Sequence, residues 1–161
     1  MKQSQLIQLL KIAEIARCRI ELLAKHEQGP SNLTGYCGIA SRYLQKLANA
    51  QGIFPKFICG TFRFYNRIFD KYLTWSGHSW LELNDVIVDI TATQFKDVKT
   101  KVNRSFGNPV YYSSNSNPHY LKYSDGMEAI RLVESWYEEN LGELLTKIEM
   151  VSKEQECDKA G

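Results

Sequence analysis

Apolar residues at both ends of the chain follow the spacing of amphipathic helices. One stripe runs from about Gln3 to His26, and a second from about Cys37 to Asn49. The first helix is predicted to end at Gln28–Asn32, because glycine favours the end of a helix and proline cannot continue one. Gly52 ends the second helix, and a third stripe of apolar positions runs from Met127 to Ile148.

The third helical segment opens with Asp125-Gly-Met-Glu128, which has the spacing of a capping box. Gly142 interrupts the pattern and favours a division into two helices. Lys153 to Gly161 carry no apolar stripe, which predicts a disordered tail. We therefore expect one domain over residues 1–152 and a tail over residues 153–161.

The middle of the chain carries strand patterns. Ile53 to Tyr65 are rich in Phe and Ile and include Pro55, which is typical of a strand or strand pair near a sheet edge. Shorter strands are expected around Val110–Tyr112 and Tyr120–Tyr123. Helices at both ends with strands between them predict an α+β fold, in which the helices pack on a small antiparallel sheet.

Residues 78–91 give the clearest local signal. Two alternating runs flank Asn84-Asp85, a pair that tolerates positive φ, so we predict a β-hairpin. A two-residue turn places Trp80 opposite Asp89 and leaves His78 diagonal to Asp89 on the same face. The other face is predicted to be the buried one, and it carries Leu81, Leu83, Val86, Val88 and Ile90.

Length and charge narrow the class of protein. The chain has 161 residues, which is one domain at the usual size, and a net charge of +2. A nucleic-acid binder usually carries a larger basic excess, so we expect no nucleic-acid partner. No apolar run is long enough to span a membrane, so no membrane partner is expected either.

The chain has four cysteines, at Cys18, Cys37, Cys59 and Cys157. They form no C-x-x-C pair, so we expect no metal site, and no cofactor is indicated. The N-terminus lacks the apolar core of a secretory signal, which favours a cytoplasmic location. We therefore expect all four cysteines to be free thiols.

Three residues combine into a candidate catalytic group. Cys37 lies where a Gly/Asn loop enters a helix, and a helix N-terminus lowers the pKa of a thiol. Asp89 interrupts an apolar strand, where a carboxylate is costly without a partner. The hairpin places His78 beside Asp89. A thiol, an imidazole that can act as its base and a carboxylate that can orient the imidazole are the groups that nucleophilic thiol chemistry requires.

Three short segments carry a family resemblance: Gly35-Tyr-Cys37-Gly-Ile-Ala-Ser41, Gly77-His78-Ser-Trp80-Leu-Glu and Val88-Asp89-Ile-Thr91. The chain resembles, over about residues 30–95, the transglutaminase-like branch of the papain-like fold. The resemblance implies a catalytic cysteine at a helix N-terminus, packed against a small antiparallel sheet that carries the histidine and aspartate. It also implies a nucleophilic Cys37, a general base at His78 and an orienting carboxylate at Asp89.

The same resemblance implies an oxyanion donor shortly before the cysteine. Asn32 is the candidate here, since the position six residues before the cysteine, a glutamine in papain, is Ser31. Tyr36 is an alternative wall or donor. The further candidates for substrate binding or support of the site are Trp80 and Gln94.

The expected function is a cysteine-dependent hydrolase that acts on an amide bond through an acyl-enzyme. Peptidase, amidase and protein-glutamine deamidase activities all fit, with a peptide or protein as the substrate. Two alternatives stay open: an acyltransferase or transglutaminase with the same triad, and a non-catalytic binding module of the same fold. The sequence does not set the substrate or the oligomeric state.

Overall fold

The computed structural model describes residues 2–66, 69–95, 105–123 and 128–153. The helices are α1 (Lys2–His26), α2 (Cys37–Ala50) and α3 (Glu128–Lys153). The strands are β1 (Lys56–Asn66), β2 (Lys71–Leu83), β3 (Val86–Asp89), β4 (Tyr111–Ser114) and β5 (Tyr120–Lys122). Two short 3-10 helices cover Ala92–Phe95 and Ser105–Gly107.

The strands form one antiparallel sheet in the order β4-β3-β2-β1-β5. The predicted α+β class is therefore confirmed. The predicted position of the first strand near a sheet edge is confirmed: β1 is one continuous strand that lies between β2 and the short edge strand β5. Pro55 immediately precedes β1, where it removes no hydrogen bond from the sheet.

The predicted hairpin and its register are confirmed. Leu81 pairs with Val88, as a two-residue turn requires. The turn residues Asn84 and Asp85 have φ values of 51° and 65°, which are typical of a hairpin turn. Only one face was expected to be buried, but Trp80 and Ile87 on the opposite face are buried as well.

Strand β2 begins at Lys71, seven residues before the predicted strand start at His78. The difference comes from a β-bulge: Gly60 pairs with His78, but the next residue of β1, Thr61, pairs with Ser76. Gly77 is the extra residue and has a φ of 80°, which glycine adopts at little cost. The bulge reverses the alternation, so that His78 shares a face with Trp75 rather than with Ser76.

The two faces of the sheet bury different cores. The three helices pack on one face, where they enclose an aliphatic core with Leu81, Val88 and Ile90. The opposite face carries a mainly aromatic cluster formed by Phe62, Trp80, Ile87, Ala92, Phe95, Phe106 and Tyr120. The 3-10 helices cover this second face, so the central strands are buried on both sides.

Helix α3 is continuous through Gly142, contrary to the predicted division into two helices. A glycine costs a helix only about 1 kcal/mol relative to alanine, and Ile148 and Val151 of α3 are buried in the aliphatic core. The proposed capping residue Asp125 lies outside the described residues. Of the tail predicted over 153–161, Lys153 is the last residue of α3, and residues 154–161 also lie outside the described part. Within the described parts of the chain, no helix is long and apolar enough to cross a membrane.

The expectation of four free thiols is wrong. Cys18 is disulfide-bonded, whereas Cys37 and Cys59 are thiols outside any disulfide. Cys157 lies outside the described residues. The sequence could not show this bond, because spacing along the chain does not reveal which cysteines the fold brings together.

Candidate active site

Cys37 is the first residue of α2 and is half-buried. The preceding residue, Tyr36, provides no side-chain cap, so the first-turn N–H groups keep their capacity to bind a negative charge. The loop reaches this point through positive φ values at Leu33 (65°) and Gly35 (88°). The Cys37 Sγ donates a hydrogen bond to the Gly77 carbonyl oxygen at 3.6 Å, which places the thiol beside the bulge of β2.

His78 is fully buried on the aromatic face of the sheet. Its Nε2 donates to Asp89 Oδ2 at 2.6 Å. The other nitrogen, Nδ1, lies 3.4 Å from Gln94 Nε2. A hydrogen bond also joins the His78 side chain to the Cys37 thiol. The imidazole therefore connects the carboxylate on one side with the thiol on the other.

Every hydrogen bond to Asp89 comes from a donor that suits a carboxylate. Its Oδ2 accepts from His78 and, at 2.9 Å, from the Tyr120 hydroxyl. Its Oδ1 accepts from Thr91 N at 2.9 Å and from Thr91 Oγ1 at 3.1 Å. These partners offset the cost of burying the charge, since a carboxylate with several donors stays ionised.

The electrostatics of the three groups favour a charged pair. Burial alone disfavours charge, but the charge of Asp89 and its hydrogen bond to His78 raise the pKa of His78 to about 9. Burial would likewise raise the pKa of Cys37, but His78 and the Ser79 N–H lower it below its ordinary value. Burial opposes ionisation of Asp89 too, yet His78, Thr91 and Tyr120 lower its pKa. The interactions within the group therefore favour a thiolate, an imidazolium and a carboxylate over the neutral forms.

The structure thus brings together the three residues that the sequence singled out for catalysis. The predicted orientation is also present, with Asp89 on one nitrogen of His78. Gln94 joins them: it is buried, and its Nε2 donates to the Thr91 carbonyl oxygen at 3.1 Å as well as approaching Nδ1. Gln94 therefore lies beside the imidazole on the side opposite Asp89.

Two of the other candidates lie away from the thiol. The Tyr36 hydroxyl donates to Glu27 Oε1 at 3.3 Å, and the Tyr36 ring lies against Gly29. Tyr36 is therefore turned towards the end of α1 and does not line the site. Trp80 is fully buried beside His78, with ring centroids 5.8 Å apart, so it packs under the imidazole and cannot contact a substrate.

The Asn32 side chain is oriented by hydrogen bonds within its own loop. Its Oδ1 accepts from Thr34 Oγ1 at 2.8 Å and from Thr34 N at 3.2 Å. The Asn32 backbone oxygen also accepts from Thr93 Oγ1 at 3.3 Å, which fixes the loop to the 3-10 helix beside His78. The side-chain oxygen is therefore held by Thr34, and the amide N–H groups are those that Asn32 can offer to a ligand.

Two residues that hold the site were not among those predicted from the sequence. Tyr120 reaches Asp89 from β5, and no local pattern links the two. Arg17 of α1 is buried and donates to the Ile90 carbonyl oxygen at 2.7 Å and to Thr93 Oγ1 at 2.9 Å. A signal for Arg17 existed, since it falls on the apolar stripe between Ala13 and Ile20.

No group of three or more metal-ligating side chains is placed to hold a metal ion in the described ranges. No family model, curated protein or solved structure matches this chain. Any assignment of activity therefore depends on the geometry and electrostatics of Cys37, His78 and Asp89.

Proposed function

We propose that the protein is a cysteine-dependent hydrolase of amide bonds, with the transglutaminase-like variant of the papain-like fold. The observation that carries this proposal is the continuous hydrogen-bonded series Asp89–His78–Cys37, in which the pKa of the thiol is lowered and that of the imidazole is raised to about 9. A thiolate is the nucleophilic form of cysteine, and an imidazolium can protonate a leaving amine.

The first half-reaction forms an acyl-enzyme. The Cys37 thiolate attacks the carbonyl carbon of the amide, and the new Sγ–C bond pushes an electron pair onto the carbonyl oxygen. When this tetrahedral intermediate collapses, the C–N bond breaks and the nitrogen takes the proton from His78 Nδ1. The amine leaves, and the acyl group stays on Cys37 as a thioester.

The second half-reaction restores the thiol. Neutral His78 removes a proton from water, and the resulting hydroxide attacks the thioester carbonyl. The Sγ–C bond then breaks, the carboxylic acid leaves, and the thiolate–imidazolium pair is regenerated. Asp89 keeps its negative charge throughout, because its partners hold its pKa low.

Negative charge on the carbonyl oxygen is stabilised by the start of α2. The Cys37 N–H belongs to the first turn, where no side-chain cap competes for it. Asn32 is the second proposed donor, since Thr34 holds its amide oxygen and leaves its N–H groups available. The Cys37 N–H and the Asn32 side-chain amide then both donate to the negatively charged oxygen of the tetrahedral intermediate.

The acyl-enzyme can be tested with p-nitrophenyl acetate. We expect a burst of p-nitrophenolate equal to the enzyme concentration, acetylation mapped to Cys37, and slower turnover as water removes the acetyl group. Cys37→Ala should abolish the burst, and His78→Ala should abolish turnover. Cys59→Ala is the matched control, because Cys59 is the other cysteine of the described chain that is outside any disulfide, and it should leave both phases unchanged.

Amide hydrolysis is tested separately. Glutamine-containing peptides are followed by ammonia release, and peptide anilides by aniline release, each with and without an added primary amine. Release that depends on both Cys37 and His78 supports a hydrolase. Product that forms only with the added amine would instead assign an acyltransferase. A thiol that reacts equally fast in the wild type and in His78→Ala would contradict catalysis by this triad.

A further inference from the structure

The distal half of β2 has one side without a strand neighbour. Strand β1 pairs with β2 along its whole length, whereas β3 pairs with it only at Leu81–Leu83. From Lys71 to Gly77 the outer side of β2 therefore meets no other strand in the parts of the chain that the structure describes. Thr74 and Ser76 are exposed there. A bare strand edge is a template for another extended chain.

The register shows which backbone groups point outwards. Arg63 of β1 donates its N–H to the His119 carbonyl oxygen at 2.7 Å, so the polar groups of Arg63 face away from β2. Thr74 lies opposite Arg63, and the two form a non-hydrogen-bonded pair, so the N–H and C=O of Thr74 face away from β1. Ser76 has the same orientation, because its partner Thr61 lies two residues from Arg63.

The same edge continues to the candidate nucleophile. Beyond the bulge, Ser79 lies opposite Cys59, whose carbonyl oxygen accepts from Tyr123 N–H at 3.1 Å. The Ser79 N–H therefore points outwards as well, and it bonds to the Cys37 sulfur. The thiol also contacts the Gly77 carbonyl oxygen at 3.6 Å. Cys37 thus occupies the line along which an added strand would run.

We propose that the substrate is an extended segment of a peptide or protein, bound as an additional strand along the outer edge of β2 at Thr74 and Ser76. This inference rests on the proposed function. The added strand delivers its amide to Cys37 in line with the edge. At about 3.3 Å per residue, the edge from Thr74 to Ser79 accommodates a segment of about five residues.

The position of the Cys37 thiol at the end of this edge indicates that the bound chain is a substrate. An edge that ends at a reactive thiol suits a chain that is to be cut or modified. Side chains on the edge add apolar contacts: Trp75 is 44% exposed and lies beside Phe95, with ring centroids 6.4 Å apart. Because side chains of a strand alternate, we expect a preference for apolar residues at every second position of the bound segment.

Peptide electrophiles test this inference. The probes are chloroacetyl-Val-Ala-Val-Ala-amide against chloroacetamide, and acetyl-Val-Ala-Val-Ala chloromethyl ketone against acetyl-Ala chloromethyl ketone, so that both chain directions are sampled. In each case the Sγ–C bond forms as chloride leaves. We expect the longer probe of one pair to label Cys37 at least about tenfold faster, which corresponds to one or two net hydrogen bonds.

Two further measurements are specific to strand addition. Single N-methyl groups along the faster probe should remove its advantage at alternate positions only, because alternate N–H groups face β2. Thr74→Pro should also remove the advantage, and since the Thr74 N–H faces outwards, proline there breaks no bond to β1. Thr74→Ala, the matched control, should retain it.

The outcomes separate this inference from the proposed function. Fast, His78-dependent labelling by iodoacetamide near pH 6, with no gain from either peptide, would keep the hydrolase and overturn the bound strand. Slow labelling by iodoacetamide that is insensitive to His78 would overturn both. The bound strand would also be overturned if the peptide advantage were lost at every N-methyl position, or lost equally in Thr74→Pro and Thr74→Ala. A dimer that Thr74→Pro dissociates would assign the edge to a second copy.

Discussion

The buried pair of His78 and Asp89 concentrates charge where water is excluded. Such a pair is stable only when its remaining polar atoms are satisfied. Thr91 and Tyr120 donate three hydrogen bonds to the Asp89 carboxylate in addition to the one from His78. Asp89 therefore remains ionised and can hold the proton on His78, which in turn favours the thiolate of Cys37.

The reactivity of Cys37 should persist in mild acid. Because the pKa of Cys37 is lowered, we expect rapid alkylation by iodoacetamide near pH 6, where a thiol of ordinary pKa is almost fully protonated. His78→Ala should slow alkylation at this pH by about a hundredfold, as the thiolate fraction falls towards that of a free thiol. Rates mapped to Cys37 by mass spectrometry between pH 5 and 9 test this expectation.

The control is Cys59→Ala, which should leave the Cys37 profile unchanged. Asp89→Asn should slow alkylation near pH 6, because without the carboxylate the pKa of His78 falls and the imidazolium is lost. A single midpoint near ~8.5 in the wild type, unaffected by Asp89→Asn, would identify Cys37 as an ordinary thiol.

The pair should also make stability depend on pH. The pKa of His78 is raised from 6.5 to about 9, so its stabilising charge is fully present below 6.5 and is lost as the pH rises through about 9. The pKa of Asp89 is lowered, so its contribution is present above its ordinary pKa and is lost as the pH falls through the folded value.

We therefore expect the free energy of unfolding lost in Asp89→Asn to be greatest between about pH 4 and 6.5, on the order of 3 kcal/mol. The difference from the wild type should shrink towards pH 9.5. Urea unfolding of both proteins at pH 5.5, 7.5 and 9.5 measures it. A difference that is constant over this range would mean that the pair is not charged in the folded protein.

At the scale of the elements, the positions of the three residues depend on how helices and strands meet. The bulge at Gly77 places Trp75 rather than Ser76 on the face that carries His78, and a side chain at Gly60, which pairs with His78, would collide with the Leu121 carbonyl oxygen at 2.2 Å. Helix α2 brings Cys37 to the edge of β2. Arg17 of α1 fixes the segment that follows β3.

Arg17→Met should destabilise the protein without removing any catalytic group. The substitution leaves the buried Ile90 carbonyl oxygen without its donor, which costs about 1–3 kcal/mol in unfolding free energy. Glu21→Gln is the matched control: it removes the charge of the carboxylate that pairs with Arg17 at 2.6 Å, but that carboxylate is half exposed. We expect it to cost less than about 1 kcal/mol. Equal losses in chemical denaturation would show that the contact to Ile90 contributes little.

At the scale of the whole molecule, the sheet separates two environments. The helices enclose an aliphatic core on one face, and the aromatic cluster surrounds His78 on the other. Phe62 and Phe95 stack with ring centroids 3.7 Å apart beside the imidazole. This cluster excludes water from the His78–Asp89 pair and thereby strengthens their interaction.

The disulfide at Cys18 predicts a specific alkylation pattern. In unfolded but unreduced protein, iodoacetamide should label Cys37 and Cys59 and leave Cys18 unmodified. Reduction before alkylation should make Cys18 available, and peptide mapping without reduction identifies its partner. Labelling of Cys18 without reduction would contradict the bond, whereas a protected Cys37 would count against its role as a nucleophile.

The sequence by itself determined the local elements. Alternation on both sides of Asn84-Asp85 set the register of β2 and β3, and that register alone placed His78 near Asp89. Helical spacing located α1 and the start of α2 at Cys37. These features depend on contacts between residues close in the chain, so periodicity and turn chemistry are sufficient to predict them.

Only the tertiary structure decided what surrounds these elements. Four features depend on residues that are not neighbours in the sequence. They are the hydrogen bond from Tyr120 to Asp89, the hydrogen bonds of Arg17 to the segment after β3, the orientation of Tyr36 towards α1 and the disulfide at Cys18. The bulge at Gly77 likewise follows from pairing with β1, not from local alternation. Such contacts leave no periodic signal, because they depend on which faces of distant elements meet when the chain folds.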